Sequence, residues 1–322
     1  MIHADPRRDA LERWLSGPLR GERFSLTPAS ADASFRRYWR VQLHGARTFV
    51  AMDAPPDKED CRPFIQVAAL MREAGVNAPL VHAEDLQQGF LLLSDLGTRT
   101  YLNELDAQSA PALFADATDA LLRWQLATRP GVLPPYDEAL LRREMNLFPE
   151  WYVGRHLDRK ADAGVLESVF ALLVKSALAQ PAVYVHRDYM PRNLMVCEPN
   201  PGVLDFQDAV LGPITYDMVS LMRDAFLSWE EQQVLDWTVR YWKKARAAGL
   251  PVDADFGEFW RAFEWMGLQR HLKVLGIFAR INYRDGKPHY LEDAPRFLNY
   301  AFAVSRRYRQ LAPLAALLET LE

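Results

Sequence analysis

Runs of apolar residues divide the chain into two parts of different texture. Before residue 97 the runs are short and rich in β-branched and aromatic residues, whereas beyond it the apolar positions follow a helical period. The strand-like runs lie at 37–43, 48–52 and 90–93, with a helical pattern between the last two at about 62–74. The pattern therefore predicts a small sheet-rich lobe, residues 1–97, followed by a larger, mostly helical lobe, residues 98–322. The segment LLLSDLGTRT around Gly97 is typical of a hinge.

Six long helical patterns fill the second part. They lie at 110–129, 137–156, 161–179, 229–248, 256–281 and 291–311. Three strand-like pieces interrupt them, at 183–185, 194–197 and 203–206, and the segment EPNPG between the last two predicts a turn. We therefore expect an α+β fold in which a hairpin is embedded among helices.

Composition excludes several classes of protein. The chain has 322 residues, 49% of them hydrophobic, and a formal net charge of −4, so no general attraction to nucleic acid or to an anionic membrane is expected. There is no apolar run of membrane-spanning length, and the N-terminal segment MIHADPRRDALERW lacks the apolar core of a signal peptide. The two cysteines, Cys61 and Cys197, have neither metal-binding spacing nor the number for a disulfide framework. We expect a cytoplasmic protein with no evident protein partner.

The segment VYVHRDYMPRNLMV carries the strongest chemical signal. Asp188 follows a strand, Asn193 begins the next one, and the predicted turn returns Asp205 of VLDFQD toward them. Mg²⁺ prefers oxygen ligands and often takes only one or two from protein, which Asn193 and Asp205 can supply. Asp188 is then available to accept the proton of an attacking hydroxyl. The spacing HRDxxxxN, with an Asp twelve residues later, is the arrangement of phosphotransferases.

These motifs also carry a resemblance to a known family. HRDYMPRN, LDFQDA and GPITYDMVSL resemble the aminoglycoside phosphotransferase and choline kinase branch of the kinase-like fold. SFRRYWRV, MDAPP, FPEWY, QRHLKVLGIFARINYRDGK and YLEDAPRF resemble, more narrowly, bacterial kinases that phosphorylate the anomeric C1 hydroxyl of N-acetylmuramate and N-acetylglucosamine. The resemblance covers nearly the whole chain. It implies a two-lobed protein-kinase-like fold, ATP and Mg²⁺ as cofactors, an amino-sugar substrate, and a role in the recycling of cell-wall peptidoglycan.

Within this resemblance, the two lobes have different tasks. Residues 1–97 would bind the nucleotide, and residues 98–322 would hold the catalytic loop and the sugar. Around the loop we expect three supporting residues. His186 would bond to backbone near the metal-binding Asp205, Asp217 would accept backbone hydrogen bonds that steady the loop, and Asp208 would orient its neighbours. The role of Arg187 is left open.

The nucleotide side departs from the pattern of protein kinases. The segment TPASADASFRRYWRV has no glycine, so small residues such as Ser34 must let the backbone approach phosphate. The resemblance places Asp53 where kinases have a phosphate-pairing Lys, and Gln66 where the Glu partner of that Lys belongs. An aspartate at that position would repel ATP, so arginines after the loop are expected to replace the Lys, and hinge backbone is expected to meet the adenine. The predicted nucleotide contacts are Ser34, Arg36, Arg40, Ser94, Asp95 and Leu96.

The acceptor side is predicted from charge. Residues 270–309 contain nine Lys or Arg against three acids, a balance of +6 in a chain of −4. The lactyl carboxylate of N-acetylmuramate would favour such cations, whereas polycationic aminoglycosides call for acids. The predicted sugar contacts are Glu144, Trp151, Arg270, Lys273, Arg280 and Arg284, with Tyr152 as a further candidate.

Two other functions stay open at this point. One is an aminoglycoside or other small-alcohol phosphotransferase, because fold does not determine the acceptor. The other is a nucleotide-binding pseudokinase, because Asp53 replaces the usual Lys. The presence of Asp188, Asn193 and Asp205 together favours an enzyme.

Overall fold

The computed structural model describes residues 5–30 and 35–321. They form two compact units, each built from two separate segments of the chain. The first unit contains the described residues up to Arg123 together with Arg192–Asp208, and the second contains Trp124–Pro191 and the chain from Ala209 onward. The change from strands to helices near residue 97 is present, whereas the functional boundary expected there stays a prediction.

The first unit is built on a five-stranded antiparallel sheet with the order β1-β2-β3-β5-β4. Its strands are β1 Phe24–Ser30, β2 Arg37–Leu43, β3 Thr48–Asp53, β4 Val81–Asp85 and β5 Phe90–Ser94. The three strands predicted in this region, β2, β3 and β5, are confirmed. The sequence pattern does not predict β1 and β4. A proline, Pro28, interrupts β1 next to an irregularity in its pairing with β2, and proline weakens a strand pattern.

Four helices begin among the described residues up to Arg123, and the predicted helix at 62–74 is among them. They are α1 Pro6–Leu15, α2 Arg62–Glu73, α3 Tyr101–Glu104 and α4 Ala110–Leu126. Helix α1 packs Leu11 and Leu15 against Val41, Ala51 and other buried residues of the sheet. Burial of these apolar side chains therefore anchors α1 to strands β2 and β3.

The second unit consists mostly of helices. After α4 they are α5 Glu138–Met145, α6 Ala163–Leu178, α7 Tyr216–Met222, α8 Glu231–Ala247, α9 Phe256–Asp285, α10 Ala294–Arg307 and α11 Ala312–Leu321, with a π-helix at Phe148–His156. The single helix predicted at 137–156 is therefore wrong, because α5 ends before Pro149 and the chain continues as the π-helix. Proline cannot donate the backbone hydrogen bond that an unbroken α-helix requires. Likewise α10 begins only beside Pro295, which follows a 3₁₀ turn at Pro288–Asp293.

Helix α9 is the longest element, with 30 residues, most of which are buried. Gly276 lets it approach the residue just before the π-helix, since an added Cβ would lie 2.3 Å from the carbonyl carbon of Leu147. The helix ends at Gly286, whose φ of 67° is the left-handed conformation that favours glycine. Any larger residue at position 276 would therefore force α9 away from the π-helix.

Two short hairpin-like pairings flank the predicted catalytic loop in sequence. In the second unit, β6 Ala182–Val185 pairs antiparallel with β9 Val210–Pro213. In the first unit, β7 Leu194–Met195 pairs with β8 Gly202–Val203, which confirms the predicted hairpin around EPNPG. The strand expected at 203–206 is wrong beyond Val203, because Asp205 has a φ of 62° and leaves the extended conformation.

Within residues 5–30 and 35–321 no helix is long and apolar enough to cross a membrane.

Candidate active site

The predicted catalytic loop begins directly after β6, in the second unit. Arg187 adopts a φ of 76°, a left-handed conformation that is costly for a residue with a side chain. The buried carboxylate of Asp217, in the first turn of α7, accepts the backbone N–H of His186 at 2.7 Å and that of Arg187 at 3.0 Å. These are the backbone hydrogen bonds that the sequence led us to expect. They hold the strained turn that presents Asp188.

His186 supports the same turn from its other side. Its side chain is fully buried, and its Nδ1 accepts the backbone N–H of Asp188 at 3.2 Å. The ring also meets Tyr189 in an edge-on contact, with the centroids 5.6 Å apart. An Nδ1 that accepts a hydrogen bond carries no proton, so this contact requires a neutral His186 ring whose proton is on Nε2. His186 thus binds the backbone of Asp188, whereas the sequence placed its backbone contact near Asp205.

Asp217 carries an unusual titration. Burial raises the pKa of its carboxyl, the N–H groups of His186 and Arg187 lower it, and Asp188 raises it again, with a result of about 7. The ionised form is therefore costly in this environment, and the two N–H donors offset part of that cost.

Asp208, the third supporting residue predicted from the sequence, is exposed, and its orienting role stays a prediction.

A buried cluster of charges surrounds Glu144, near the end of α5. Its carboxylate binds the guanidinium of Arg187 and lies 3.1 Å from Nζ of Lys273 on α9. The hydroxyl of Tyr136 donates to the same carboxylate. Burial acts to raise the pKa of Glu144, but Lys273 and Arg187 lower it to about 2. Glu144 therefore remains ionised and gives Arg187, whose role the sequence left open, a defined partner.

The same cluster places positive charge close to Asp188. Burial acts to lower the pKa of Lys273, whereas Tyr216, Glu144 and also Asp188 raise it above its ordinary value. Nζ of Lys273 donates to the hydroxyl of Tyr216 at 3.0 Å. Lys273 consequently remains charged although only 7% of it is exposed. The cluster links α5, α7 and α9 to the loop that carries Asp188.

The two predicted metal ligands adjoin each other in the first unit. Asn193 immediately precedes β7, and its Nδ2 lies 3.4 Å from Oδ2 of Asp205. The backbone N–H of Leu204 donates to the carbonyl oxygen of Asn193 at 2.9 Å, and Gln207 donates to Oδ1 of Asp205 at 3.0 Å. In the part of the chain that the structure describes, no three His, Cys, Asp or Glu residues are grouped to hold a metal. The amide nitrogen of Asn193, and not its oxygen, faces Asp205 here. The two side chains nevertheless carry oxygens of the kind that Mg²⁺ binds, and Mg²⁺ keeps most of its ligands as water or phosphate.

Asp53, which the resemblance aligns with the kinase Lys, is held by two arginines. Asp53 is fully buried, and its carboxylate binds the guanidinium of Arg7 from α1 and that of Arg37 from β2, with Arg37 Nε at 3.0 Å. Arg37 also binds Asp5, at 2.5 Å. Two guanidinium groups neutralise Asp53, so the repulsion of ATP that the sequence suggested is offset. The pattern gave no sign of Arg7, which lies 46 residues earlier in the chain.

The remaining nucleotide candidates are held in different ways. Arg40 binds both carboxylate oxygens of Asp95, at 2.7 and 3.0 Å, and the carbonyl oxygen of Gly97 at 2.7 Å. Oγ of Ser94 accepts the N–H of Leu80 at 2.9 Å. Arg40 and Asp95 are thus brought together as partners of each other, and their contacts with nucleotide stay predictions. Leu96 is half-buried, and Ser34 lies outside the described residues.

Arg36 has an ion-pair partner that the sequence analysis did not identify. Its guanidinium lies 2.9 Å from a carboxylate oxygen of Glu59, and both side chains are largely buried. Glu59 precedes α2, the helix in which Gln66 was expected to replace the usual Glu. The acidic stretch DKED ahead of α2 was the only available signal.

The basic segment of the second unit does not form one patch. Arg270 is 2% exposed and donates to the carbonyl oxygen of Arg223, whereas Arg284 is exposed and binds its neighbour Asp285 at 2.7 Å. Arg270 and Arg284 lie ~21 Å apart along α9, at 1.5 Å per residue, which is too far for one monosaccharide to contact both. Several other cations of the segment bind acids, among them Arg306 with Glu319. The concentration of charge in sequence is therefore dispersed in the structure.

Two sugar candidates remain half-buried near the π-helix. Trp151 lies within that helix, and Arg280 lies on α9. Burial and the nearby Arg284 lower the pKa of Arg280, and Glu150 of the π-helix acts against them. Nε of Arg280 has no hydrogen-bond partner among the described residues. Tyr152 is buried and stacks on Phe148, as core residues do.

A protein-family model matches most of the chain. The model of the phosphotransferase enzyme family matches residues 25–256. Among curated proteins, the N-acetylmuramate/N-acetylglucosamine kinase of Pseudomonas putida is 58% identical over 301 residues, which is 92% of this chain and 88% of that protein. The protein of the same name from Neisseria meningitidis serogroup B is 51% identical, over 97% of this chain and 95% of its own.

Solved structures with a similar fold are more distant in sequence. A choline kinase from Streptococcus pneumoniae has a TM-score of 0.67 at 11% identity, covering 93% of this chain and all of the other. The streptomycin–ATP ternary complex of aminoglycoside phosphotransferase APH(2")-IIa has a TM-score of 0.59 at 14% identity, covering 93% of this chain and 97% of that one. At these identities the likeness concerns the fold alone, and it confirms the predicted α+β, kinase-like class.

Proposed function

Because the chain belongs to the phosphotransferase enzyme family, we propose that it transfers the γ-phosphoryl group of ATP to the anomeric C1 hydroxyl of N-acetylmuramate and N-acetylglucosamine. One observation carries this proposal: two curated kinases with this pair of substrates in their names are 58% and 51% identical to the chain over more than nine-tenths of its length. The product would be a sugar 1-phosphate. Such a product suits the recycling of peptidoglycan sugars inside the cell.

The proposed mechanism assigns one task to each loop residue. Asp188 orients the sugar hydroxyl and accepts its proton, while Asp217 and His186 hold the backbone that presents it. Asn193 and Asp205 would hold Mg²⁺, which when bound neutralises charge on the triphosphate. Arg187 and Lys273, fixed by Glu144, keep positive charge near Asp188. Positioning and electrostatics together account for catalysis of phosphoryl transfer.

Acceptor recognition is proposed for the π-helix and the facing part of α9. Arg280 is the leading candidate for the lactyl carboxylate, because it is half-buried on the part of α9 that lies near Glu150 of the π-helix. Trp151 on the π-helix offers an apolar face for the sugar ring. Glu144 and Lys273 are engaged with each other and Arg270 is buried, so direct sugar contacts by these three would require their present partners to be displaced.

A product analysis tests the activity. Purified protein is incubated with ATP and Mg²⁺ and with separate panels of amino sugars, aminoglycosides, choline and peptides, and the products are identified by phosphorus NMR. We expect sugar 1-phosphates from N-acetylmuramate and N-acetylglucosamine only. Product from aminoglycosides or choline alone would replace the proposed acceptor. A lack of product from every panel, with ATP still bound, would favour a pseudokinase.

A single substitution tests carboxylate recognition. Arg280→Met should lower kcat/KM for N-acetylmuramate about tenfold to a hundredfold, since a charge-assisted hydrogen bond contributes roughly 1.5–3 kcal/mol. The value for N-acetylglucosamine, which lacks the lactyl group, should change less than about threefold. Arg306→Met, in the same basic segment but exposed and bound to Glu319, is the matched control. Equal losses on both sugars, or no loss, would exclude Arg280 from carboxylate recognition.

A further inference from the structure

The end of strand β3 cannot supply a cation to a nucleotide. Asp53 ends this strand, is fully buried, and is bound by both Arg7 and Arg37. A triphosphate carries several negative charges, and kinases of this fold neutralise part of them with a fixed cation. In this chain such a cation would therefore have to come from another residue.

A second ion pair in the same unit has the required properties. The guanidinium of Arg36, just before β2, lies 2.9 Å from Glu59, just before α2. The two side chains are 13% and 17% exposed, so neither is a freely solvated surface charge. A largely buried carboxylate limits the positions that a flexible arginine can adopt. The pair therefore presents a guanidinium in a defined place.

A ring contact connects helix α2, which follows Glu59, to the segment that carries Asp205. The ring centroids of Phe64, on α2, and of Phe206, the residue that follows Asp205, lie 4.8 Å apart. Helix α2 thus packs directly on the segment that carries the proposed Mg²⁺ ligand. Burial acts to lower the pKa of Arg36, whereas Tyr38, Glu59 and, least of these, Asp205 raise it above its ordinary value. The charge of Asp205 therefore acts on Arg36, although less than that of Glu59.

We propose that Arg36, held by Glu59, binds the phosphates of ATP in place of the lysine that β3 lacks. Arg36 is the phosphate-binding residue and Glu59 is a positioning residue. Arginine suits this task because its planar guanidinium can bind two phosphate oxygens at once. Arg40, the other sequence candidate, forms a similar pair with Asp95, but the charge acting on it is that of Asp95, whereas the proposed metal ligand Asp205 acts on Arg36. The inference rests on the proposed kinase function and deepens it.

The test compares ligands with and without phosphate. Affinities of wild type and Arg36→Met for Mg²⁺-bound ATP and for adenosine are measured by titration calorimetry in the absence of sugar. We expect the ATP affinity to fall about tenfold to a hundredfold and the adenosine affinity to change less than about twofold, because only the phosphates contact Arg36. Arg36→Lys should recover part of the loss, and Glu59→Gln should raise KM for ATP by a smaller factor than Arg36→Met.

Matched controls come from another Arg–Glu pair of the same unit. Arg47 and Glu22 bind each other but are 62% and 43% exposed, so Arg47→Met and Glu22→Gln should leave ATP affinity unchanged. If Arg36→Met lowers thermal stability but keeps the ATP affinity within twofold, the pair is only structural and the inference is wrong. Equal losses for ATP and adenosine would contradict it as well. Wild-type protein that binds no ATP at all would instead refute the proposed function.

Discussion

Replacement of Glu144 by Gln is expected to destabilise the protein while preserving the shape of the side chain. The pKa of Glu144 is about 2, against an ordinary value of 4.5, because Lys273 and Arg187 outweigh the cost of its burial. A difference of about 2.5 in pKa corresponds to roughly 3.5 kcal/mol, at about 1.4 kcal/mol for each unit. Loss of one member of a buried ion pair typically costs a similar amount, about 3–5 kcal/mol. We therefore expect Glu144→Gln to lose roughly 3.5 kcal/mol of unfolding free energy at pH 7.

The stabilisation that Glu144 contributes should depend on pH and should decrease in acid. The folded-state pKa of Glu144 lies below its ordinary value, so its contribution is complete above about pH 4.5 and is lost as the pH falls toward 2. Urea unfolding of wild type and Glu144→Gln between pH 7 and pH 3 should show a difference in free energy that is constant at first and then shrinks. Activity at pH 7 should also fall, since Arg187 adjoins Asp188 in the loop.

A control on the same helix separates burial from charge alone. Glu138, in the first turn of α5, binds Arg142 but is 56% exposed, so Glu138→Gln should cost less than about 1 kcal/mol. The double variant Glu144→Gln with Lys273→Met should lose less stability than the sum of the two single variants, because each leaves the other charge unpaired. A loss below about 1 kcal/mol for Glu144→Gln, or a difference that does not shrink in acid, would refute the reasoning.

Two further substitutions test other parts of the structure. Asp188→Asn should lower kcat by roughly 10² to 10⁴, because a positioned base is lost, while calorimetry should show a nearly unchanged ATP affinity. A variant that keeps more than about a tenth of the activity would remove Asp188 from the mechanism. Asp53→Asn should lower the urea unfolding free energy by about 2 kcal/mol, less than for a wholly buried pair since Arg7 and Arg37 are 32% and 38% exposed, with KM for ATP changed less than about threefold. Unchanged stability would show that water screens this pair.

Local chemistry was readable from the sequence. The strands β2, β3 and β5, the hairpin around EPNPG and the loop from His186 to Asn193 all follow from short patterns, because neighbouring residues determine turns and alternation. The α+β class and the family resemblance followed from the same motifs. In several of the elements that the pattern missed or misplaced, a proline or a left-handed residue breaks the period. Pro28 in β1, Pro149 in the first turn of the π-helix and Asp205 after β8 are examples. Strand β4 contains neither feature.

The charge pairs were decided only by the tertiary structure. Composition counted a +6 segment, but the fold buries Arg270 and Lys273, pairs Arg284 with Asp285, and leaves Arg280 half-buried. Arg187 meets a carboxylate 43 residues away, and Arg36 meets one 23 residues away. No short-range pattern specifies such partners, because a long charged side chain can reach several acids and the packing of distant elements selects one. The sequence by itself therefore determined which chemical groups the loop carries, and the fold determined which charges are neutralised and which are held for a ligand.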